Sequence, residues 1–319
     1  MIVRALVALC AALLLGGPAF AQPYPNKPIR IVVGYSAGGG NDLIGRIVAA
    51  KLQDKLGQPV VIDNKPGAQS IVACELVAKA APDGYTLLMA PSGPMTINPA
   101  IYAKLPYSPE KDFAPISLLA EFPLLLVVGA DQPVKTVREL IEYGRAHPDK
   151  ANYASSAAPL QLTAELFNQR TGSKFQHIPY KGSGEIVQAV TSGQVLMAFA
   201  DAAPIAGPLA AGKLRALAVT TDKPDPTYPG VPTLAEAGVP DVVVTLWTGF
   251  AAPAGTPPEI IAVLNKAIVE VVAMPEVRTA FKAISVDPRS STPEAYRALI
   301  VKDAARWKTV ATAANVKLE

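Results

Sequence analysis

The chain has 319 residues, half of them hydrophobic, with 29 basic and 26 acidic side chains. Charges spread this evenly exclude a nucleic-acid-binding face, and two cysteines with two histidines leave no credible zinc or iron ligand cluster. The apolar content and length suit a core divided between two domains.

The N-terminus reads as a cleavable signal peptide over residues 1–21. Arg4 supplies the positive start, residues 5–15 an apolar core, and Ala19-Phe20-Ala21 the small-x-small cleavage site. Gly16, Gly17 and Pro18 interrupt the apolar run short of the roughly 20 residues a membrane span needs. Cys10 follows Leu9, not the small residue a lipoprotein site requires. Cleavage would leave a soluble periplasmic protein starting at Gln22, with Cys74 as its one cysteine. No intramolecular disulfide is then expected, and Cys74 reads as a small buried residue on a helix.

Short β-branched runs then alternate with helical patterns, which predicts parallel sheets covered by helices. Residues 29–33 form the first strand. Asn41 opens a helix with Ile44, Ile47, Val48 and Leu52 at helical spacing, and Gly57 stands at its C-cap. A second strand at 59–63, a helix at 70–80, a Pro82-Asp83-Gly84 turn and a third strand at 85–89 complete a βαβαβ unit. Residues 116–128 are almost continuously apolar, long for one strand, and read as a bent pair passing between lobes with a hinge near Pro123. A second α/β series follows, with helices at 137–146, 160–170 and 185–191. Its strands fall near Tyr153 and at 175–178, 195–200 and 214–220. Residues 242–252 return the chain to the first lobe, on which helices at 258–274 and 293–314 are expected to pack. Lobe 1 is thus expected over 22–123 and 247–319, and lobe 2 over 124–246.

The segment Gly34-Tyr35-Ser36-Ala37-Gly38-Gly39-Gly40-Asn41-Asp42 joins the first strand to its helix. Three glycines let backbone N–H groups approach a ligand closely, and the following helix adds partial positive charge, so the loop suits an anion. The alternative is a glycine-rich turn capped by Asn41 or Asp42. Gly34-x-Ser36-x-Gly38 also matches the nucleophile elbow of α/β hydrolases, so a secreted serine hydrolase using Ser36 must be weighed. Only His147 or His177 could complete its triad. His147 precedes Pro148 at a helix end, and His177 lies in a strand; both have ordinary structural readings. The elbow would also follow the first mature strand, with no upstream loop to supply part of an oxyanion hole.

Beyond this loop, a series of motifs runs in order along the chain: Tyr24-Pro25-Asn26-Lys27-Pro28-Ile29-Arg30, Asn64-Lys65-Pro66-Gly67-Ala68, Ala81-Pro82-Asp83-Gly84-Tyr85-Thr86-Leu87, and Ile178-Pro179-Tyr180-Lys181-Gly182. Gly212-Lys213-Leu214-Arg215-Ala216-Leu217-Ala218, Val231-Pro232-Thr233-Leu234 and Trp247-Thr248-Gly249 continue it. In this order the chain resembles the Bug family, periplasmic receptors of tripartite tricarboxylate transporters. The resemblance implies an α/β, two-lobed periplasmic-binding-protein fold of type II, with a ligand cleft between the lobes and closure on ligand. It implies a receptor and not an enzyme, without cofactor or metal, a monomer that hands a small organic acid to membrane permease subunits. A sensor-only role fits the same sequence.

Carried over residue by residue, the family site falls on Tyr35, Ser36, Gly38, Gly39 and Asp42 in lobe 1, with Ser70 and with Ser92 after the third strand. Lobe 2 adds Ser155, Ser156, Tyr180, Lys181 and Asp201. Each has an alternative: Ser155 and Ser156 as helix caps, Tyr180 as core, Lys181 as a solvated side chain, Asp201 as a loop cap. The chain departs from the family at Gln69, Ser70 and Ala73, where small glycines are usual. It departs again at Ala157-Ala158-Pro159-Leu160-Gln161, where glycine, a hydroxyl residue and often histidine are expected. A less polar pocket follows, which favours a dicarboxylate or an aromatic acid over citrate.

Overall fold

The computed structural model describes residues 24–284 and 286–317; the signal peptide expected at 1–21 lies outside them. Strands β1 (Ile29–Val33), β2 (Val60–Asn64) and β3 (Thr86–Met89) form a parallel trio with β1 in the middle. β1 is buried on both faces, as a central parallel strand must be. Ile29, Ile31 and Val33 enter one core, with helix α1 (Gly40–Leu56), while Val32 enters another, with α2 (Ile71–Ala78). The expected Gly57 cap is present: its φ of 66° is left-handed, and its N–H donates to the Gln53 carbonyl.

The long apolar run is one strand, β4 (Phe113–Gly129), and not a bent pair. Its first part pairs antiparallel with β9 (Thr245–Pro253), ending at Pro123 opposite Thr245. From Leu124 onward its partners are β7 (Met197–Asp201) and β8 (Leu214–Val219). Proline has no N–H to give the ladder, so a change of partner at Pro123 costs no donor. Thr220 ties the two crossing segments together there. Its Oγ1 accepts the Leu124 N–H at 2.9 Å and lies 2.5 Å from the Val244 carbonyl.

Beyond the crossover, α3 (Val137–Ala146) and β5 (Asn152–Ser155) lead into α4 (Ala158–Thr171). β6 (Gln176–Pro179), α5 (Ser183–Thr191), β7, α6 (Ala202–Ala210) and β8 complete this lobe, with β5 parallel to both β6 and β7. The main strand order is β2-β1-β3-β9-β4-β7-β5-β6, with β8 paired to β4 off this path, a sheet whose halves feed separate cores. After β9 come α7 (Pro258–Ala273), α8 (Pro275–Ala283), the short β10 (Asp287–Pro288) and α9 (Pro293–Ala313). α9 does not pack on the first lobe alone. Tyr296 and Ile300 belong to a lobe 1 core, whereas Trp307, Val310 and Ala311 belong to that of lobe 2. Cys74 is fully buried on α2, where burial pushes its thiol up to about 12.

Candidate functional site

The glycine loop is organised around Asp42, a buried residue in the first turn of α1. Its carboxylate accepts the Gly38 N–H at 2.8 Å, Arg46 Nε at 2.9 Å and Asn64 Nδ2 at 2.9 Å. Burial opposes ionisation, but Arg46, the Gly38 N–H and Asn64 outweigh it and hold the carboxyl below its ordinary range. Asp42 therefore shapes the loop from behind, and its acceptor positions are occupied by the protein. The Gly39 N–H is also used internally, on the Ser36 carbonyl at 3.3 Å. The loop's free donors are accordingly the N–H groups of Gly40, Asn41 and Asp42, the first turn of α1, which no intrahelical carbonyl can reach. No side chain caps this helix.

A cleft of about 560 Å³ opens beside that turn. Tyr35, Gly38 and Gly39 line it from lobe 1 and Asp201 from lobe 2, together with Asn41, Phe122 and Ser183. Much of the remaining wall is apolar, including Leu43, Ile44, Pro204 and Ile284. Three helices, α1, α5 and α6, present their N-termini here, and none carries a side-chain cap. Their partial positive charges converge on a space lined by no lysine or arginine among the described residues. Tyr35 reaches towards the second lobe. A Cβ built on Gly93 would stand 3.4 Å from the Tyr35 hydroxyl and 4.0 Å from Pro159 of α4. Burial, with Cys74 and Asp201 nearby, raises the Tyr35 pKa, so its hydroxyl remains a donor. Burial also pushes Asp201 up to about 6.

The other expected residues are placed around this cleft, not on its wall. Ser36 is exposed, and both histidines are bonded elsewhere: His147 Nδ1 to the Tyr143 carbonyl and His177 Nε2 to Ser155 Oγ, at 3.1 and 2.7 Å. Ser92 is buried just before a π-helical turn, Gly93–Ile97, and its carbonyl accepts the Thr96 hydroxyl. Ser70 is buried behind the loop. A side chain on Gly34 would meet Ser70 Oγ at 1.8 Å, so the hydroxyl occupies the space left by that glycine. Ala68, Gln69 and Ser70 all have left-handed φ, at 44°, 54° and 70°. This geometry favours glycine, which accounts physically for the strain carried by the departure at 69 and 70.

In lobe 2, Ser155 ends β5 and Ser156 leads towards the uncapped N-terminus of α4. Neither serine hydroxyl caps that helix, so the capping alternative does not hold. Tyr180 packs against the lobe 2 core while its N–H donates to the Ser155 carbonyl at 2.8 Å. Lys181 is exposed, and its N–H donates to Glu185. Asn41, Phe122 and Ser183 were not anticipated as cleft residues. Ser183 had a signal, since Gly182-Ser183 begins a helix directly after a strand, as the glycine loop does.

A cleft between two α/β lobes linked by paired crossing strands defines a periplasmic-binding-protein fold of the solute-receptor class. Residues 44–316 match the model of the tripartite tricarboxylate transporter family receptor, and the chain belongs to that family. It is 35% identical to Protein BugT of Bordetella pertussis over 308 residues, 96% of this chain and 94% of that protein. Among solved structures it is similar to R. palustris Rpa4515 with adipate, at TM-score 0.83 and 34% identity, covering 92% of this chain and 99% of that one. It is also similar to MatC from Rhodopseudomonas palustris with bound malate, at TM-score 0.79 and 33% identity, covering 90% and 99%.

Proposed function

We propose that this chain is a periplasmic receptor, exported by its N-terminal signal, that holds a small organic dicarboxylate and delivers it to permease subunits of a tripartite tricarboxylate transporter. The observation that carries the reading is the cleft lined from both lobes by three helix N-termini without side-chain caps. Backbone N–H groups and helix dipoles bind a carboxylate without a fixed cation. The apolar remainder of the wall suits a ligand with a methylene or aromatic body. Similar proteins solved with adipate and malate support the same ligand class. Tyr35 and Asp201 are the side chains assigned to ligand contact, with Ser155 and Ser156 closing from lobe 2. Ser36 serves as a hydroxyl at the cleft mouth, not as a nucleophile, because neither histidine is bonded to it.

A thermal-shift screen of adipate, malate, benzoate and citrate tests the reading. A ligand that binds only the folded state stabilises it by about 2.7 kcal/mol at a hundredfold excess over Kd. Stabilisation by adipate or benzoate, and little by citrate, is expected. No shift with any organic acid at millimolar concentration would overturn it.

A further inference from the structure

The cleft contains an acid with no base opposite it. Asp201 ends β7 and immediately precedes α6, yet its carboxylate does not cap that helix. Among the described residues it forms no hydrogen bond or ion pair through its side chain. Among the described residues Tyr35 is the one other titratable side chain on the cleft wall, and it stays protonated.

Charged groups on the surrounding elements are committed elsewhere or exposed. Asp42 and Arg46 of α1 bond each other, and Glu185 of α5 accepts the Lys181 N–H. Glu121 of β4 pairs with Arg289, and Arg215 of β8 donates to the carbonyls of Ala130 and Val134. Lys181, Lys213 and Lys282 are exposed. A second acceptor, Asn41 Oδ1, is buried at the same cleft without a hydrogen-bond partner among the described residues. The helix N-termini answer a ligand carboxylate, but neither an ionised Asp201 nor Asn41 Oδ1 has a hydrogen to give, so a second carboxylate brought against these two acceptors must supply one itself.

We propose that the cleft takes its ligand as a monoanion that shares a hydrogen with Asp201: one carboxylate rests on the helix N–H groups, and the group facing Asp201 is a protonated carboxyl or a neutral hydrogen-bond donor. The inference rests on the carboxylate-receptor reading and narrows its substrate class. For a dicarboxylate, binding removes one proton from solvent and places it between the ligand carboxyl and Asp201; no covalent bond changes. Burial has already moved Asp201 up to about 6, so the proton is held just below neutrality.

Titration calorimetry on the full mature chain, using adipate and its monoamide adipamate between pH 6 and 8 in buffers of different ionisation heat, tests this. Adipate binding should take up about one proton near pH 8 and weaken by roughly tenfold per pH unit above neutrality. Adipamate carries its own N–H donor, and its affinity should stay constant between pH 7 and 8, where Asp201 is ionised, falling only slightly towards pH 6. Asp201→Asn supplies a hydrogen permanently and should flatten the adipate profile. If that variant fails to fold, proton uptake by the unaltered protein still decides. Adipate binding with no proton uptake and a flat profile would overturn the inference while leaving the receptor reading intact. If neither acid binds at any pH, the receptor reading fails and the inference falls with it.

Discussion

Ser155 Oγ and His177 Nε2 lie 2.7 Å apart across the parallel β5–β6 pair, with the imidazole stacked on Tyr153 at 5.2 Å. The direction of this bond decides what Ser155 can offer. A ring that donates from Nε2 leaves the serine proton free for an anion, whereas a ring that accepts there consumes it. Ser155→Ala should weaken adipate binding by roughly tenfold to a hundredfold, the worth of one hydrogen bond to a charged group. Calorimetric titration with parallel chemical denaturation separates this from a loss of stability; normal binding by a destabilised variant would remove Ser155 from the site. Burial depresses the His177 pKa, with Glu165 opposing. The folded state therefore prefers the neutral ring. Its stabilising contribution is complete above the unfolded value near 6.5 and fades as pH falls through the lower folded value. His177→Gln should lessen this acid sensitivity as pH falls below about 6.5, read as a flatter dependence of stability on pH.

Asp42 holds the glycine loop by three charge-assisted contacts, so Asp42→Asn should act on shape before it acts on ligand. A loss of about 1.5–3 kcal/mol is expected, the range for a hydrogen bond to a charged group. The lowered pKa of Asp42 means that its contribution is present above the unfolded value near 3.9 and is lost as pH falls through the folded one. Wild type and variant should therefore converge in stability in strong acid. Urea denaturation at pH 7 and at pH 3 checks this, and an equal difference at both values would count against the role.

Gly34 and Ser70 share one space. Gly34→Ala should destabilise by about 1–3 kcal/mol through overpacking, because its Cβ would fall 1.8 Å from Ser70 Oγ. Adding Ser70→Gly removes that hydroxyl and relieves a left-handed non-glycine residue, so the double variant should recover much of the loss. Thermal denaturation of the two single variants and the double one measures the coupling, and simple additivity would mean that the two positions are independent.

Regular periodicity made most of the fold readable. β1, α1 with its Gly57 cap, and the α/β alternation of the second lobe all follow from apolar spacing and turn residues. α6 was not anticipated because Pro204, Gly207 and Pro208 erase the helical signal; it follows directly on β7, which ends at Asp201. α8 was hidden by Pro275, which reads as the end of α7, whereas Met274 is a single extended residue between two helices. At the site, the glycine loop with Gly38 and Gly39 was readable from the residues themselves, while Tyr35 and Asp201 came only from the family resemblance; all four line the cleft. The inward commitment of Gly38 and Asp42 was not readable, since it depends on a side-chain bond four residues away. The Ser155–His177 pair was equally hidden, because only the β5–β6 register brings residues 22 positions apart into contact.

The final helix ties the two lobes together. α9 runs 21 residues, about 30 Å, with one end fixed in each lobe's core and Asp303 receiving the Trp247 indole N–H at 2.6 Å between them. A helix whose side chains are packed into a core at each end can neither slide nor turn about its own length without unpacking one of them. α9 is therefore a third link between the lobes beside β4 and β9, and any change in the angle between them must bend it or reseat one of its ends.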